Sequence, residues 1–179
     1  MERNQGAALD NIIAWEGAEI NISPDEPGGI SKYGVSLRTY AEYMKKVGKP
    51  APTFDDIKNL TEAQARDFYA TVFLPPIRFN DLPDGVDVRL SDITVNLGIT
   101  GGIYTLQLAL QIFPLADTIS DKAIATIGTI NPSAVIYGLS AAWITNKHST
   151  AGWTKYGKGW SARNTSVTNL SLAVALQTK

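Results

Sequence analysis

The chain has 179 residues, of which 44% are hydrophobic and 18% charged, and a formal net charge of −1 at pH 7. That length and composition support one globular domain, or a domain with a small appendage, able to bury a real core, and they exclude a disordered chain. So small a charge gives no overall field towards nucleic acid or an anionic surface, and with no cysteine and only His148 as histidine, neither a disulfide framework nor a zinc site is within reach.

In chain order, Met1-Glu2-Arg3-Asn4-Gln5 is polar and leads into a helix rather than an apolar signal core, and no apolar run reaches the length of a membrane span. The expectation is a protein made in a cytoplasm, with no export signal of its own and no membrane insertion. A helix is predicted over Ala7 to Trp15. Leu9, Ile12, Ile13 and Glu16 recur at i, i+3, i+4 and i+7, which points the Glu16 carboxylate along its own buried stripe. Burial disfavours the ionised form of such a group, and a general acid has to hold a proton. The structural alternative is a glutamate at a helix end, paired with a cation or a backbone N–H.

Asp25 stands nine residues after Glu16 and Ser31 fifteen after it, with Pro24, Pro27, Gly28 and Gly29 between them in a turn that cannot be helical. Two short runs, Glu19 to Ile22 and Ile30 to Val35, are predicted to fold back as a hairpin that carries Asp25 or Glu26, and then Ser31, towards the end of the first helix. Two carboxylates and a hydroxyl would then flank one cleft. Inverting glycosidases need one protonated acid for the leaving oxygen and an opposing group for water, with the carboxyls about 6.5–9.5 Å apart. Ordinary turn chemistry is the competing explanation for acids beside Pro and Gly.

Beyond the hairpin, a helix is predicted from Leu37 to Val47, with Leu37, Tyr40 and Met44 on one face and Gly48 closing it. Lys49-Pro50-Ala51-Pro52 is a linker. Thr61-x-x-Gln64 is a capping box opening a helix to about Phe73, and Leu74-Pro75-Pro76 stops it. Asp84 is the predicted cap of a central helix carrying Val86, Leu90, Ile93 and Leu97, ended by Asn96-Leu97-Gly98. Gly101-Gly102 precedes a further helix from Ile103 to Gln111, stopped at Phe113-Pro114. Ser120 caps a short helix to Ile127, and Asn131-Pro132 opens one to about Asn146. Trp153, Tyr156 and Trp160 fall in an aromatic, glycine-rich loop, GWTKYGKGW, where Lys155 and Lys158 are interleaved; sugar stacking and core anchoring both suit Trp160. The chain reads as mainly α with one small β element.

The segment Glu16-Gly17-Ala18-Glu19-Ile20-Asn21, followed by Pro24-Asp25-Glu26-Pro27-Gly28-Gly29-Ile30-Ser31-Lys32-Tyr33-Gly34-Val35, resembles the signature of glycoside hydrolase family 108, the phage and prophage N-acetylmuramidases. It departs from that signature in Ala18, Glu26, Ser31 and one extra residue before the turn. Further on, Leu60-Thr61 through Ala63 and Tyr69 to Asp81-Leu82-Pro83, then Asp92-Ile93-Thr94-Val95-Asn96-Leu97-Gly98 with Leu106-Gln107, and finally Gly159-Trp160-Ser161-Ala162-Arg163 are similar to the family's later motifs in the same order. Anchoring on Pro27-Gly28-Gly29 matches Glu26 to the family's second acid. Counting from Glu16, as in the related T-even phage lysozymes, selects Asp25 and Ser31.

The resemblance implies a lysozyme-like, mainly α fold with a small β-hairpin lobe. It divides the chain into a catalytic region over 1–113 and a C-terminal helical region over 114–179 resembling the family's peptidoglycan-binding part, packed as one unit. It implies cleavage of the β-1,4 bond between N-acetylmuramic acid and N-acetylglucosamine in peptidoglycan. Glu16 is then the general acid, and Asp25 or Glu26 places or polarises water with help from Ser31. Tyr33, Asn96 and Trp160 are the substrate-binding candidates; Asn96 is equally a helix cap or core amide, and Gln107 a structural hydrogen bonder. No metal or organic cofactor is implied. The expected partners are peptidoglycan strands, with a holin or other virion proteins, and the expected place of action is the cell wall, reached from the host cytoplasm or carried in the virion. A lytic transglycosylase and a wall-binding virion module without catalysis are the two rival readings.

Overall fold

The computed structural model describes residues 4–26 and 28–177. Residues 1–3 of the leading polar segment and Pro27 of the predicted turn lie outside the described residues. In chain order the elements are α1 (Gln5–Glu16), β1 (Ile20–Ile22), β2 (Ile30–Lys32), β3 (Val35–Ser36), α2 (Leu37–Lys46), α3 (Phe54–Lys58), α4 (Glu62–Val72), a 3-10 turn (Phe79–Asp81), α5 (Val86–Ala109), α6 (Asp121–Thr129), α7 (Pro132–His148) and α8 (Trp153–Leu176). By their internal contacts they form two compact units, one of Leu9–Val72 and one of Met1–Ala8 with Phe73–Lys179.

In the Leu9–Val72 unit the three strands form an antiparallel sheet in the order β1-β2-β3. Ile20, Asn21 and Ile22 pair with Lys32, Ser31 and Ile30, while Ser31 and Lys32 pair on the other side with Ser36 and Val35. The predicted hairpin therefore exists, but its second run splits in two at Tyr33-Gly34. Both residues have positive φ, 52° and 72°, which is what a two-residue hairpin loop of matching twist requires. Ser36 then accepts the Thr39 N–H and starts α2. Helix α3 was not predicted: Thr53 and Asp56 cap it reciprocally, so the Thr-x-x-Asp pattern after the proline linker was the available signal. The predicted box at α4 is present, with the Thr61 N–H donating to Gln64 Oε1 at 2.9 Å and the Gln64 N–H to Thr61 Oγ1 at 3.3 Å. Tyr40 and Tyr43 from α2 meet Phe68 from α4 with ring centroids 6.0 and 5.6 Å apart, and Phe68 meets Tyr69 at 5.3 Å. These four rings are one part of this unit's core, in which Ile12, Ile30, Val35, Ile57 and Leu60 are also buried.

In the other unit α5, α7 and α8 pack on one another. Asp84 is not the cap of α5: Gly85 takes that position with no side-chain bond, and Asp84 instead accepts from Asn4 Nδ2 at 2.6 Å. Gly98 breaks the helix where predicted, at φ 78° and ψ 167°, but Gly101 and Gly102 lie inside its second half rather than ahead of it. Ser120 and Asn131 cap α6 and α7 as read from the sequence. The GWTKYGKGW stretch is not a loop; it forms the opening turns of α8. Gly157 stands there because the Trp153 ring lies across it, 2.9 Å from where a Cβ would be, so the glycine serves packing. Within this unit α5 shares its interior with α7 and α8. Among the described residues no helix is long and apolar enough to cross a membrane.

Candidate active site

Glu16 is the last residue of α1. On its stripe Leu9 and Ile12 are buried, and Ile13 and Glu16 itself are half-buried, so the helix delivers the carboxylate to the margin of the core. There it lines a cleft of about 540 Å³ together with Asn21, Glu26, Ser31 and Gly34, and with Glu19 and Ile20. Every one of these residues belongs to the Leu9–Val72 unit.

The sheet explains why Asn21, Ser31 and Glu26 converge. Asn21 and Ser31 are directly opposed across β1 and β2, and opposed residues project from the same face. Asn21 Nδ2 donates to Glu26 Oε1, which ties the turn's carboxylate to the edge strand. The turn backbone is closed by Glu26 N–H to the Ser23 carbonyl at 3.1 Å and Gly29 N–H to the Glu26 carbonyl at 2.8 Å. Asp25, one residue earlier, is exposed; its N–H donates to Ser23 Oγ at 3.2 Å, and it does not line the cleft. Of the two acids left open by the sequence, Glu26 lines the cleft with Glu16 and Asp25 does not.

Gly34 fits Glu16 closely into place. A Cβ at this residue would lie 2.6 Å from Glu16 Oε2 and 2.6 Å from the Tyr69 hydroxyl, so both oxygens occupy the space that any side chain would fill. Tyr69, on α4 and 1% exposed, donates its hydroxyl to the Tyr33 carbonyl at 2.8 Å. The Tyr33 side chain itself does not line the cleft; the Lys32 ammonium lies 5.5 Å from its ring centroid.

Asn96 and Trp160 belong to the other unit. Asn96 is half-buried in the last turn before the break at Gly98. Trp160 is half-buried on α8, with Tyr156 at 5.7 Å and Trp153 at 6.3 Å between ring centroids, and the Lys147 ammonium 5.0 Å from its own. His148 is exposed, its ring 4.6 Å from Trp153. Two of the sequence motifs meet in this unit through a buried ion pair. Asp92, fully buried, accepts from Arg163 Nε at 3.0 Å and from Arg89 Nη1 at 3.0 Å, and Arg89 also donates to Ser140 Oγ at 2.9 Å. Burial pulls the Arg89 guanidinium down to about 10, opposed by the Asp92 carboxylate and aided by Arg163. Gln107 holds the loop after α5, donating to the Ala116 carbonyl at 2.9 Å and accepting the Ala116 N–H at 2.8 Å.

Chemically the cleft offers the carboxylates of Glu16, Glu19 and Glu26 with the Ser31 hydroxyl and the Asn21 amide, a set suited to acid–base hydrolysis. Among the described residues no group of three or more His, Asp or Glu is placed to hold a metal ion. Asn21, Gly34 and Tyr69 stood in the motifs without a role. The signal available for Gly34 was Tyr-Gly between two short alternating runs, and for Asn21 the strand register opposite Ser31.

The family model for glycosyl hydrolase 108 matches residues 9–98, half of the chain. The solved structure of Brucella abortus SagA is similar over 96% of this chain and 95% of that chain, with a TM-score of 0.83 and 24% sequence identity. No curated protein matches the sequence. The structural likeness establishes a mainly α, lysozyme-like fold with a small antiparallel sheet.

Proposed function

The chain belongs to the glycosyl hydrolase 108 family and is a glycosidase of the peptidoglycan-degrading kind, and from that premise we propose that it is an N-acetylmuramidase with Glu16 as general acid and Glu26 as its partner. The bond cut is the β-1,4 linkage from N-acetylmuramic acid to N-acetylglucosamine. Glu16 gives its proton to the glycosidic oxygen as the C1–O bond breaks. Glu26 takes a proton from the water that attacks C1 from the opposite face, and Ser31 helps orient that water around an oxocarbenium-like centre. The observation that carries this reading is the joint placement of Glu16, Glu26, Asn21 and Ser31 around one cleft. A second carboxylate tied into the cleft by Asn21 also favours water attack over the intramolecular closure of a lytic transglycosylase. The resemblance to phage and prophage muramidases supports a place in phage lysis or entry, as an endolysin released through a holin or as a lysin carried in the virion.

Digestion of purified peptidoglycan by the full chain, with mass analysis of the released fragments, tests the reading. Reducing N-acetylmuramic acid ends are expected. Ends of 1,6-anhydro type would move the protein to the transglycosylases, and no release by folded protein would leave a wall-binding module.

A further inference from the structure

We propose that Tyr69 is a positioning residue for Glu16, acting through the Tyr33-Gly34 turn; this rests on the general-acid role of Glu16. Three observations converge on it. The Tyr69 ring is 1% exposed and packs edge-on against Phe68 at 5.3 Å, so its hydroxyl is held on a rigid stem rather than on a mobile arm. That hydroxyl donates to the Tyr33 carbonyl at 2.8 Å, which fastens α4 to the loop between β2 and β3. The same hydroxyl and Glu16 Oε2 each lie 2.6 Å from the point where a Gly34 Cβ would stand. The bare Cα of Gly34 is thus a seat shared by the acid and the tyrosine.

The physical consequence is indirect control of the acid's position. A two-residue loop with both residues at positive φ has no slack of its own, and its height against α4 is set by the hydrogen bond to Tyr33. If that bond is lost, the Tyr33 carbonyl is left without its buried donor and the loop moves to find another. The seat under Glu16 then moves with it. General-acid catalysis depends on the carboxyl lying within hydrogen-bond reach of the leaving oxygen, and a displacement near 1 Å costs about a hundredfold in rate. Substrate affinity, spread over a long glycan strand, is much less sensitive to it.

The test compares Tyr69→Phe with Tyr43→Phe. Both rings are buried in the same unit, and both hydroxyls donate a hydrogen bond, that of Tyr43 to Asp67, so both variants lose stability through a missing hydroxyl. Only the first loses the tie to the loop. Tyr69→Phe is expected to lower kcat by about ten- to a hundredfold with KM within about twofold, and to displace the alkaline limb of the kcat/KM profile, which reports the general acid. Tyr43→Phe is expected to keep the wild-type kcat and profile. Equal kcat in the two variants, with matching stability losses, would overturn the proposal and leave Tyr69 as core. Glu16→Gln assayed alongside separates the levels: if it is inactive while Tyr69→Phe is fully active, the positioning role alone fails, and if it is itself active, the general-acid reading fails and this inference with it.

Discussion

Two sets of carboxylates, one in each unit, show how differently the same chemical group can be used. Glu16 and Glu26 sit half-buried at a cleft of about 540 Å³ whose lining is mostly polar. Asp92 is fully buried between two guanidiniums, Arg89 and Arg163, which are themselves 0% and 7% exposed. Both sets fall within motifs that resemble the same family, so motif membership does not distinguish a reacting group from a scaffold group. Placement does: a carboxylate that must exchange a proton with substrate needs access to it, while one whose partners are two buried cations is committed to charge compensation.

The largest expected effect on the scaffold side comes from Asp92→Asn. It leaves Arg89 and Arg163 buried without their counter-charge, and breaking a buried pair in this way costs about 3–5 kcal/mol. Urea denaturation should show the midpoint falling sharply. An unchanged midpoint with a lowered kcat would erase the contrast by placing Asp92 in the chemistry. On the cleft side, Glu26→Gln should lower kcat by roughly two orders of magnitude, as for a positioned base, while Asp25→Asn stays within about twofold, since Glu26 lines the cleft and Asp25 does not. The reverse ranking would show that the turn presents the other acid to substrate. Both are read in one wall-digestion assay.

The smallest effect sharpens the comparison with a hydroxyl that is structural. The hydrogen bond to Asp67, with burial second, pushes the Tyr43 phenol up to about 12 from its ordinary 10.0. The folded protein therefore holds this proton more tightly than the unfolded chain does. The stability it contributes is complete below pH 10 and is lost as pH rises through about 12. Tyr43→Phe should cost about 1.5 kcal/mol near neutral pH, and its deficit against wild type should shrink across that alkaline window. A constant deficit would show that the ring's packing, not the hydrogen bond, had been disturbed.

The parts of this molecule legible in the sequence are those written in local chemistry. Thr61-Gln64, Ser120 and Asn131-Pro132 mark helix starts because a cap needs only its own first turn, and Gly98 marks a break. Glu16 was placed at a helix end by the spacing of Leu9, Ile12 and Ile13. What escaped depends on distant partners. Gly157 reads as a breaker until the Trp153 ring is seen lying over it. Asp84 reads as a cap, yet its bond goes to Asn4, eighty residues earlier. Which of Asp25 and Glu26 lines the cleft turns on a one-residue offset in the turn, where Asn21 across the hairpin donates to Glu26. Tyr69 reaches the site only because α4 returns its hydroxyl to Tyr33, 36 residues away.

The central claim is that Glu16 supplies the proton, and Glu16→Gln tests it most directly when rate and stability are measured on the same preparation. The substitution keeps the side chain's shape against Gly34 but removes the transferable proton. Peptidoglycan cleavage should fall by about two to four orders of magnitude, the contribution of a positioned general acid, with the urea midpoint unchanged or higher, because active-site carboxylates are held at some expense to the fold. Full activity in the variant, or unfolding in step with the loss of activity, would contradict the account and return Glu16 to the scaffold beside Asp92.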